Sequence, residues 1–167
     1  MIQVYTGNGK GKTTAAIGLA LRAAGAGKSV YIAQFAKGRC YNELKALNKI
    51  SNIKVEQFGR RCFIKKLPAE IDCQLALEGL RRAREIISQR KYQMIILDEI
   101  NIAIKFKLIP LNDLFKLVKQ APKGIELVLT GRYAHPRIIK LADLVSDIKE
   151  VKHYYSKGVK ARRGIEY

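Results

Sequence analysis

A glycine-rich segment near the N-terminus constrains the fold of this 167-residue chain more than any other feature. Residues 6–14 read TGNGKGKTT, after a short apolar run at 2–5 and at the start of a segment of helical periodicity at 13–26. The glycines allow backbone dihedral angles that a Cβ forbids, and they let the chain approach a bound group closely. A glycine loop between a strand and a helix is typical of a phosphate-binding loop, so we expect a nucleotide-binding α/β fold.

The remainder of the chain alternates between short apolar runs and segments of helical periodicity. Several apolar runs are almost uninterrupted, as in strands that are buried on both faces of a parallel sheet. The pattern predicts a single domain over residues 1–167 with a three-layer α/β architecture, a mostly parallel sheet and the fold of P-loop nucleoside triphosphate hydrolases. The later predicted strands are 30–34, 54–58, 94–97, 126–129 and 144–148, and the later predicted helices are 41–49, 69–89, 102–107, 112–120 and 136–141.

The chain is strongly basic, with 32 Lys and Arg residues against 14 Asp and Glu residues and a formal net charge of +18. Such an excess favours an anionic partner, and nucleic acid, a polyphosphate nucleotide and an acidic membrane surface all qualify. A generally basic proteome would explain the charge equally well. Charge alone therefore does not choose among these partners.

Hydropathy and cysteine spacing limit the setting of the protein. No apolar run approaches the roughly 20 residues that a membrane-spanning helix needs, and the first residues lack the basic-then-apolar pattern of a signal peptide. We therefore expect a cytoplasmic protein without a membrane partner. Cys40, Cys62 and Cys73 are widely spaced and form no Cys-x-x-Cys pair, so we expect free thiols rather than a zinc site or a disulfide.

The residues of the loop match the chemistry of a bound triphosphate. Backbone N–H groups and the positive end of the following helix favour anions, and Lys12 would reach a terminal phosphate. The hydroxyl of Thr13 would ligate Mg²⁺. In the usual spacing, G-x-x-x-x-G-K-[ST], the first glycine would fall at Thr6, whereas this chain has Gly7 one place later. The loop is a variant, and the usual orientation of the nucleotide need not apply.

Two carboxylates follow the apolar run at 94–97. Asp98 and Glu99 would stand at the carboxyl edge of a central strand, which is the edge where open α/β sheets bind ligands. Asp98 could hold magnesium through water, and Glu99 could act on a nucleophile or order the metal shell. Acidic residues at a helix N-terminus are the alternative interpretation. Together with the loop, the pair predicts ATP binding.

Five segments in the same order resemble one family over essentially the whole chain. They are TGNGKGKTT at 6–14, ILDEIN at 96–101, LTGR at 129–132, LADLV at 141–145 and KGVKARRGIEY at 157–167. The chain resembles the P-loop type of ATP:corrinoid adenosyltransferase, also called cob(I)alamin or cob(I)yrinic acid a,c-diamide adenosyltransferase.

The resemblance implies an unusual reaction for this fold, in adenosylcobalamin biosynthesis or salvage. Cobalt(I) of a corrinoid attacks the 5′ carbon of ATP, and inorganic triphosphate leaves. The nucleophile belongs to the corrinoid, so the protein needs no serine, cysteine or histidine nucleophile. The resemblance further implies Mg²⁺, a reductase that supplies cobalt(I), a homodimer, and an ATP that lies reversed relative to other P-loop enzymes.

The resemblance also assigns residues to the site. Lys12, Thr13, Asp98 and Glu99 are the expected catalytic residues, with Thr13 and Asp98 as metal ligands and Asn101 beside the acidic pair. The expected nucleotide- and corrinoid-binding residues are Asn8, Gly9, Lys10, Gly11, Lys12, Thr13, Thr14, Arg22, Phe63, Thr130 and Arg132.

Some of these assignments keep an alternative. Arg22 could be an exposed helix arginine, Thr130 and Arg132 could belong to a simple strand-to-helix turn, and Phe63 could be a core residue. Many members pair that phenylalanine with a tryptophan, thought to help displace the lower cobalt ligand, and this chain contains no tryptophan.

Two other functions are compatible with a phosphate-binding loop, namely a kinase or ATPase and a nucleic-acid-binding ATPase. A P-loop kinase or ATPase would need an acceptor lid or a water-activating residue, and no arginine-rich lid insert is visible. A nucleic-acid-binding ATPase would draw on the charge, but the chain lacks interleaved aromatic and basic stacking motifs, and we expect no nucleic-acid partner. The basic tail at 152–167 could fold over a partner or a second subunit, or fray. His153, within it, is expected to be structural or exposed.

Overall fold

A six-stranded, entirely parallel sheet forms the centre of the protein. The computed structural model describes residues 1–38, 41–60 and 67–167. The strands are β1 (Ile2–Thr6), β2 (Val30–Phe35), β3 (Ile53–Phe58), β4 (Met94–Asp98), β5 (Glu126–Thr130) and β6 (Leu144–Asp147). They lie in the order β3-β2-β4-β5-β1-β6. The prediction of a parallel α/β sheet is confirmed.

Helices cover both faces of this sheet. They are α1 (Lys12–Gly25), α2 (Asn42–Leu47), α3 (Glu70–Gln89), α4 (Ile100–Lys105), α5 (Leu111–Lys119) and α6 (Pro136–Ile139), and a 3₁₀ turn follows at Tyr154–Lys157. Buried apolar residues of α1 and Leu47 of α2 belong to one apolar core, and the buried apolar residues of α3 to α6 belong to a second, larger core. The three-layer architecture is therefore confirmed.

Successive side chains of the central strands point to opposite faces of the sheet, so one sheet contributes residues to both cores. In β2, Val30 and Ile32 point to the side of α1, whereas Tyr31, Ala33 and Phe35 point to the side of α3. All six residues of β2 are buried, so this strand reads as a continuous apolar run apart from Gln34. Burial on both faces removes polar side chains from the strand interior and leaves them at its carboxyl end.

The carboxyl ends of five strands bring polar side chains to one edge of the sheet. These side chains belong to Thr6, Gln34, Asp98, Thr130 and Asp147. Strand β5 lies between β1 and β4, so the glycine loop after β1 and the acidic pair after β4 are about 10 Å apart at the level of the backbone. Thr130, at the end of β5, stands between them.

The C-terminal tail folds back over the chain's own glycine loop, and does not fray. Glu166 accepts a hydrogen bond from Lys10 (2.8 Å), and the last carbonyl, of Tyr167, accepts one from Asn42 (2.8 Å). His153 precedes the 3₁₀ turn as its N-cap, and its Nδ1 accepts a hydrogen bond from the backbone N–H of Tyr155 (3.0 Å), which is a structural role. Within the described ranges, no helix has both the length and the apolar character to cross a membrane.

Candidate active site

The glycine loop is packed against the backbone that follows β6. The N–H of Gly9 donates to the carbonyl of Ile148 (2.7 Å), and a Cβ placed on Gly7 or Gly9 would come closer than 3.0 Å to backbone atoms of that segment. Gly7 also has a φ of 95°, which disfavours a side chain. The glycine one place later than usual is therefore required by this close approach, while Thr6 completes β1 and its Oγ1 accepts from Ala134 (3.2 Å).

Lys12 lies inside the curve of the loop. Its Nζ donates to the carbonyl oxygens of Gly7 (2.8 Å) and Gly9 (2.6 Å), and the residue is only 7% exposed. Burial lowers the pKa of Lys12, and the charge of Arg132 acts in the same direction. Helix α1 begins at this lysine, with Gly11 as its N-cap and no acidic residue in its first turn. Its free N–H groups and its lysine thus face the same concave surface.

Asp98 is the centre of a hydrogen-bonded cluster at the edge of the sheet. Its Oδ1 accepts from the hydroxyls of Thr13 (2.9 Å) and Thr130 (2.7 Å). Its Oδ2 accepts from Nζ of Lys37 (2.7 Å) and from Nε2 of Gln34 (3.3 Å). The aspartate is 1% exposed, so burial removes its hydrating water, and these four donors take the place of that water.

Glu99 stands beside this cluster on a strained backbone. It is the N-cap of α4 with a φ of 60°, and its N–H donates to the hydroxyl of Thr130 (2.9 Å). Burial raises the pKa of Glu99 and the neighbouring Asp98 raises it further, although Lys37, Lys12 and Arg132 oppose them. The left-handed conformation is uncommon outside glycine and asparagine, and such strain concentrates at functional sites.

Asn101 fixes the turn that follows β5. Its side-chain amide is buried and donates to the carbonyl of Gly131 (3.2 Å). Gly131 has a φ of 124°, and a Cβ there would lie 3.2 Å from a carboxylate oxygen of Glu99. The LTGR segment and the DEIN segment are therefore packed together, which explains the glycine after Thr130.

Lys37 also belongs to this cluster, although no sequence motif predicted it. It lies two residues after the end of β2, and its Nζ also lies 3.3 Å from the hydroxyl of Thr13. Burial alone would lower the pKa of Lys37, but Asp98 and Glu99 raise it overall. A lysine after a strand is not distinctive in a chain with 32 basic residues. Its position at the end of a fully buried strand, on the ligand-binding edge, is the signal that could have found it.

The structure brings together five of the expected site residues and leaves others apart. Hydrogen bonds join four of them at the carboxyl edge of the sheet, and the fifth, Lys12, is near enough to Glu99 for their charges to interact. The five residues are Lys12, Thr13, Asp98, Glu99 and Thr130. The side chains of Asn8, Lys10, Thr14 and Arg132 are exposed around it. Phe63 lies outside the described residues.

Arg22 is not brought to this cluster. It lies on an exposed face near the C-terminal end of α1, ten residues after Lys12. A helix rises 1.5 Å per residue, so the two backbone positions are about 15 Å apart along the axis. Within one chain, the alternative interpretation of Arg22 as an exposed helix residue fits this position.

The tail forms a second polar cluster on the outer side of the loop. Nζ of Lys10 donates to the hydroxyl of Tyr154 (2.6 Å) and to Glu166, and the Tyr154 hydroxyl also contacts Glu166. The backbone N–H and guanidinium of Arg162 donate to the same carboxylate. These hydrogen bonds raise the pKa of Lys10 and lower that of Glu166. A cleft of about 250 Å³ lies beside Lys10, between the loop and residues 149–154.

The fold and the site together define a class of protein. A strand, a glycine loop and a helix hold a lysine and a threonine, and the next strand but one presents an aspartate to that threonine. This arrangement is that of a P-loop nucleotide-binding protein.

Comparison with known proteins assigns the family. The model of the ATP:corrinoid adenosyltransferase family BtuR/CobO/CobP matches residues 1–167. The corrinoid adenosyltransferase of Escherichia coli (strain K12) is 35% identical over 167 residues, which cover 100% of this chain and 85% of that protein. Corrinoid adenosyltransferase CobA of Salmonella typhimurium (strain LT2) is 34% identical, with 100% and 85% covered. The chain therefore belongs to the ATP:corrinoid adenosyltransferase family and is a transferase.

Solved structures support the fold. A KaiC-like protein from Pyrococcus horikoshii OT3 superimposes with a TM-score of 0.59 over 90% of this chain and 74% of that chain. The two sequences are 19% identical, so the likeness concerns the fold alone.

Proposed function

We propose that this chain transfers the 5′-deoxyadenosyl group of ATP to the cobalt(I) of a corrinoid and releases inorganic triphosphate. An electron pair of cobalt forms the Co–C bond while the bond between C5′ and oxygen breaks. The electrons of the broken bond leave with the triphosphate, and cobalt becomes formally cobalt(III). The observation that carries the proposal is the meeting of Thr13 and Asp98 beside the buried Lys12, in a chain that matches the family along its whole length.

The task of the protein in this reaction is to hold the reacting atoms in line and to stabilise the leaving group. Triphosphate gains negative charge as the C–O bond breaks, and preorganised donors at that position lower the barrier. The N-terminus of α1, the loop amide at Gly11 and the ammonium of Lys12 supply such donors, whereas the N–H of Gly9 is already bonded to the carbonyl of Ile148. Lys12 is poised on two carbonyl oxygens and can exchange them for phosphate oxygens.

The oxygen atoms of Thr13 and Asp98 fit a magnesium ion. Both are hard oxygen ligands, they lie 2.9 Å apart, and Mg²⁺ is commonly bound by one or two protein oxygens together with phosphates and water. The described residues hold no group of three or more His, Cys, Asp or Glu side chains that would form an all-protein metal site. A bound Mg²⁺ would neutralise charge on the triphosphate, with Thr13 as a direct ligand and Asp98 acting through water.

Glu99 has a supporting role in this proposal. Cobalt(I) carries no proton that a general base must remove, so the reaction does not need Glu99 as a base. Its carboxylate instead orders the water and the cations around Asp98, from a position fixed by the hydrogen bond between its N–H and Thr130.

The remaining expected residues stay part of the proposal with more peripheral roles. Asn8 and Lys10 of the loop and Thr14 of the first turn of α1 have exposed side chains that would contact the nucleotide, and Arg132 would approach it from the turn after β5. Arg22 as a nucleoside contact and Phe63 as a corrinoid contact are supported by the family resemblance alone.

We also propose a homodimer, a reductase partner and a cytoplasmic location. All four residues of β6 are exposed at the edge of the sheet, and Leu144 and Val145 present apolar surface there that a second copy could cover. Cobalt(I) must be supplied by reduction of cobalt(II), which calls for an electron donor. ATP as a co-substrate favours the cytoplasm. Sedimentation analysis tests the dimer, and a monomer at micromolar concentration would contradict it.

The reaction is tested by incubating the purified protein with MgATP and chemically reduced cob(I)alamin. Absorbance follows the formation of adenosylcobalamin, and chromatography identifies the phosphate product. Adenosylcobalamin with an equal amount of triphosphate is the expected result. Replacing Asp98 with Asn should slow the reaction strongly, whereas Asp113→Asn on α5 should not. ADP and phosphate without adenosylation would contradict the proposal and favour an ATPase or kinase.

A further inference from the structure

Lys37 places a buried ammonium among the oxygen atoms of the candidate site. Its Nζ lies 2.7 Å from Oδ2 of Asp98 and 3.3 Å from the hydroxyl of Thr13. The side chain is 18% exposed, and that of Asp98 is 2% exposed. A lysine is seldom buried to this extent unless it is paired, and here its pair is a residue already assigned to the nucleotide site.

The backbone around Lys37 is fixed by the neighbouring strand. Ala36 has a left-handed φ of 53°, and its N–H donates to the carbonyl of Phe58 (3.1 Å). Gly38 and Gly59 meet so closely that a Cβ on either would come within 3.0 Å of backbone atoms in the other segment. The contact between these two segments fixes the position of the Lys37 backbone, and the four-carbon side chain of Lys37 reaches from there to the sheet edge.

The balance of charge indicates what this ammonium does. Asp98 already accepts from three neutral side chains, namely Thr13, Thr130 and Gln34. A bound divalent cation beside Asp98 would repel the ammonium of Lys37, and a triphosphate would attract it. A lysine is a compact charge on a flexible stem, so it can move from a carboxylate to a phosphate with small rearrangement.

We propose that Lys37 is a binding residue for the triphosphate, a third cation beside Lys10 and Lys12, and that Asp98 and Thr13 hold its ammonium in place before the nucleotide binds. This inference rests on the proposed function, because the anion that it names is the triphosphate of ATP and of the product. A role as a counter-ion of Asp98 only is the competing explanation. The two explanations predict different affinities for triphosphate when Asp98 carries no charge. A binding residue still contributes to the affinity then, whereas a counter-ion of Asp98 does not.

The test measures binding of inorganic tripolyphosphate by calorimetry, in the presence of EDTA and without corrinoid. The proteins are the wild type, Lys37→Met, Asp98→Asn and the double variant Asp98→Asn/Lys37→Met. Lys45→Met, an exposed lysine on α2, is the matched control. Met keeps the length of the side chain and removes its charge. Thermal melting of each variant checks that it is folded, and the double variant avoids leaving a single buried charge unpaired.

If Lys37 binds the triphosphate, its replacement should weaken binding about tenfold or more in both backgrounds, since charge-assisted hydrogen bonds are the strong ones. Lys45→Met should stay within about twofold of the wild type, because solvent and salt screen an exposed charge. Equal affinities of Asp98→Asn and the double variant would overturn the inference and leave a counter-ion role. Failure of the wild type to bind tripolyphosphate would overturn it as well.

This experiment separates the inference from the proposed function. A protein that needs Lys37 for tripolyphosphate but forms no adenosylcobalamin keeps the inference and loses the proposed reaction. A protein that forms adenosylcobalamin and binds tripolyphosphate equally well without Lys37 keeps the reaction and loses the inference.

Discussion

Glu56 links three elements behind the candidate site through one carboxylate. It accepts hydrogen bonds from Tyr31 (2.6 Å) and Arg82 (3.1 Å), and it forms an ion pair with Lys54 (2.9 Å). Burial alone would raise the pKa of Glu56, but these three donors lower it from 4.5 to about 2. The next residue on β3, Gln57, donates to Gln34, which donates to Asp98, so this strand also supports the site.

Replacing Glu56 with Gln should therefore destabilise the protein in a pH-dependent way. The folded state holds the charged carboxylate more favourably than the unfolded state, so the contribution is fully present above pH 4.5 and is lost as the pH falls toward 2. With allowance for partial exposure of the side chain, the loss of unfolding free energy at pH 7 should be roughly 1–3 kcal/mol. Urea unfolding between pH 2 and pH 7 measures it.

The control for this measurement is Glu150→Gln, an exposed glutamate that follows β6, the strand at the opposite end of the sheet from β3. It removes the same charge from a protein of net charge +18 without touching the β3–α3 contact. If the free energies of unfolding of Glu56→Gln and the wild type differed by the same amount at every pH, the ionised carboxylate would not be what stabilises the contact.

At the scale of elements, the sequence predicted the strands and helices because their signals are local. Burial on both faces makes β2 and β4 continuous apolar runs, and a one-sided apolar stripe marks α3. The predicted bounds differ from the observed ones by a few residues at most. For example, α4 begins at Ile100, two residues before its predicted start, because the left-handed Glu99 ends the strand and caps the helix in one step.

The glycine loop is the element whose packing makes the clearest prediction. Gly7 combines a φ of 95° with backbone and side-chain atoms of residues 147–148 closer than 3.0 Å to a Cβ. Gly7→Ala should lower the free energy of unfolding by roughly 2–4 kcal/mol, since a strained backbone and an overpacked contact each cost about 1–3 kcal/mol. It should also weaken binding of ATP, because the loop must move away from Ile148. Urea unfolding and calorimetry measure the two effects.

Gly18 provides the matched replacement in the adjacent helix. It lies in the middle of α1 with open space around its Cβ position. Gly18→Ala should raise the free energy of unfolding by up to about 1 kcal/mol, because alanine favours the helix interior. If the two variants proved equally stable, the close approach between the loop and Ile148 would not be required for the fold.

At the scale of the whole molecule, the contacts that escaped prediction join residues far apart in sequence. The loop motif and the acidic pair were visible because each is a short pattern. The ion pair of Lys37 with Asp98 spans 61 positions, and the contact of Lys10 with Glu166 spans 156. Lys10 was expected at the site as a residue of the loop motif, but no short pattern predicts that it contacts Glu166 or that Lys37 pairs with Asp98. These contacts form only when the strands take their order in the sheet and the tail folds back over the loop.

The packing of the tail on the loop joins the two ends of the chain. Glu166 receives hydrogen bonds from Lys10, Tyr154 and Arg162, and it is the one carboxylate in the basic segment at 157–167. Lys10 belongs to the loop that is proposed to bind triphosphate, so the tail and the nucleotide share a cation. The tail should hold to the body of the protein through this carboxylate.

Replacing Glu166 with Gln should release the tail while the sheet stays intact. Removal of the charge weakens the bonds from Lys10 and Arg162, and the basic segment then repels the loop that it covers. Trypsin should cleave after Lys157, Lys160 or Arg163 severalfold faster than in the wild type, as measured by intact mass against time. Glu150→Gln, which alters net charge equally, should leave the rate unchanged. Equal cleavage of the two variants would mean that Glu166 does not hold the tail against the loop.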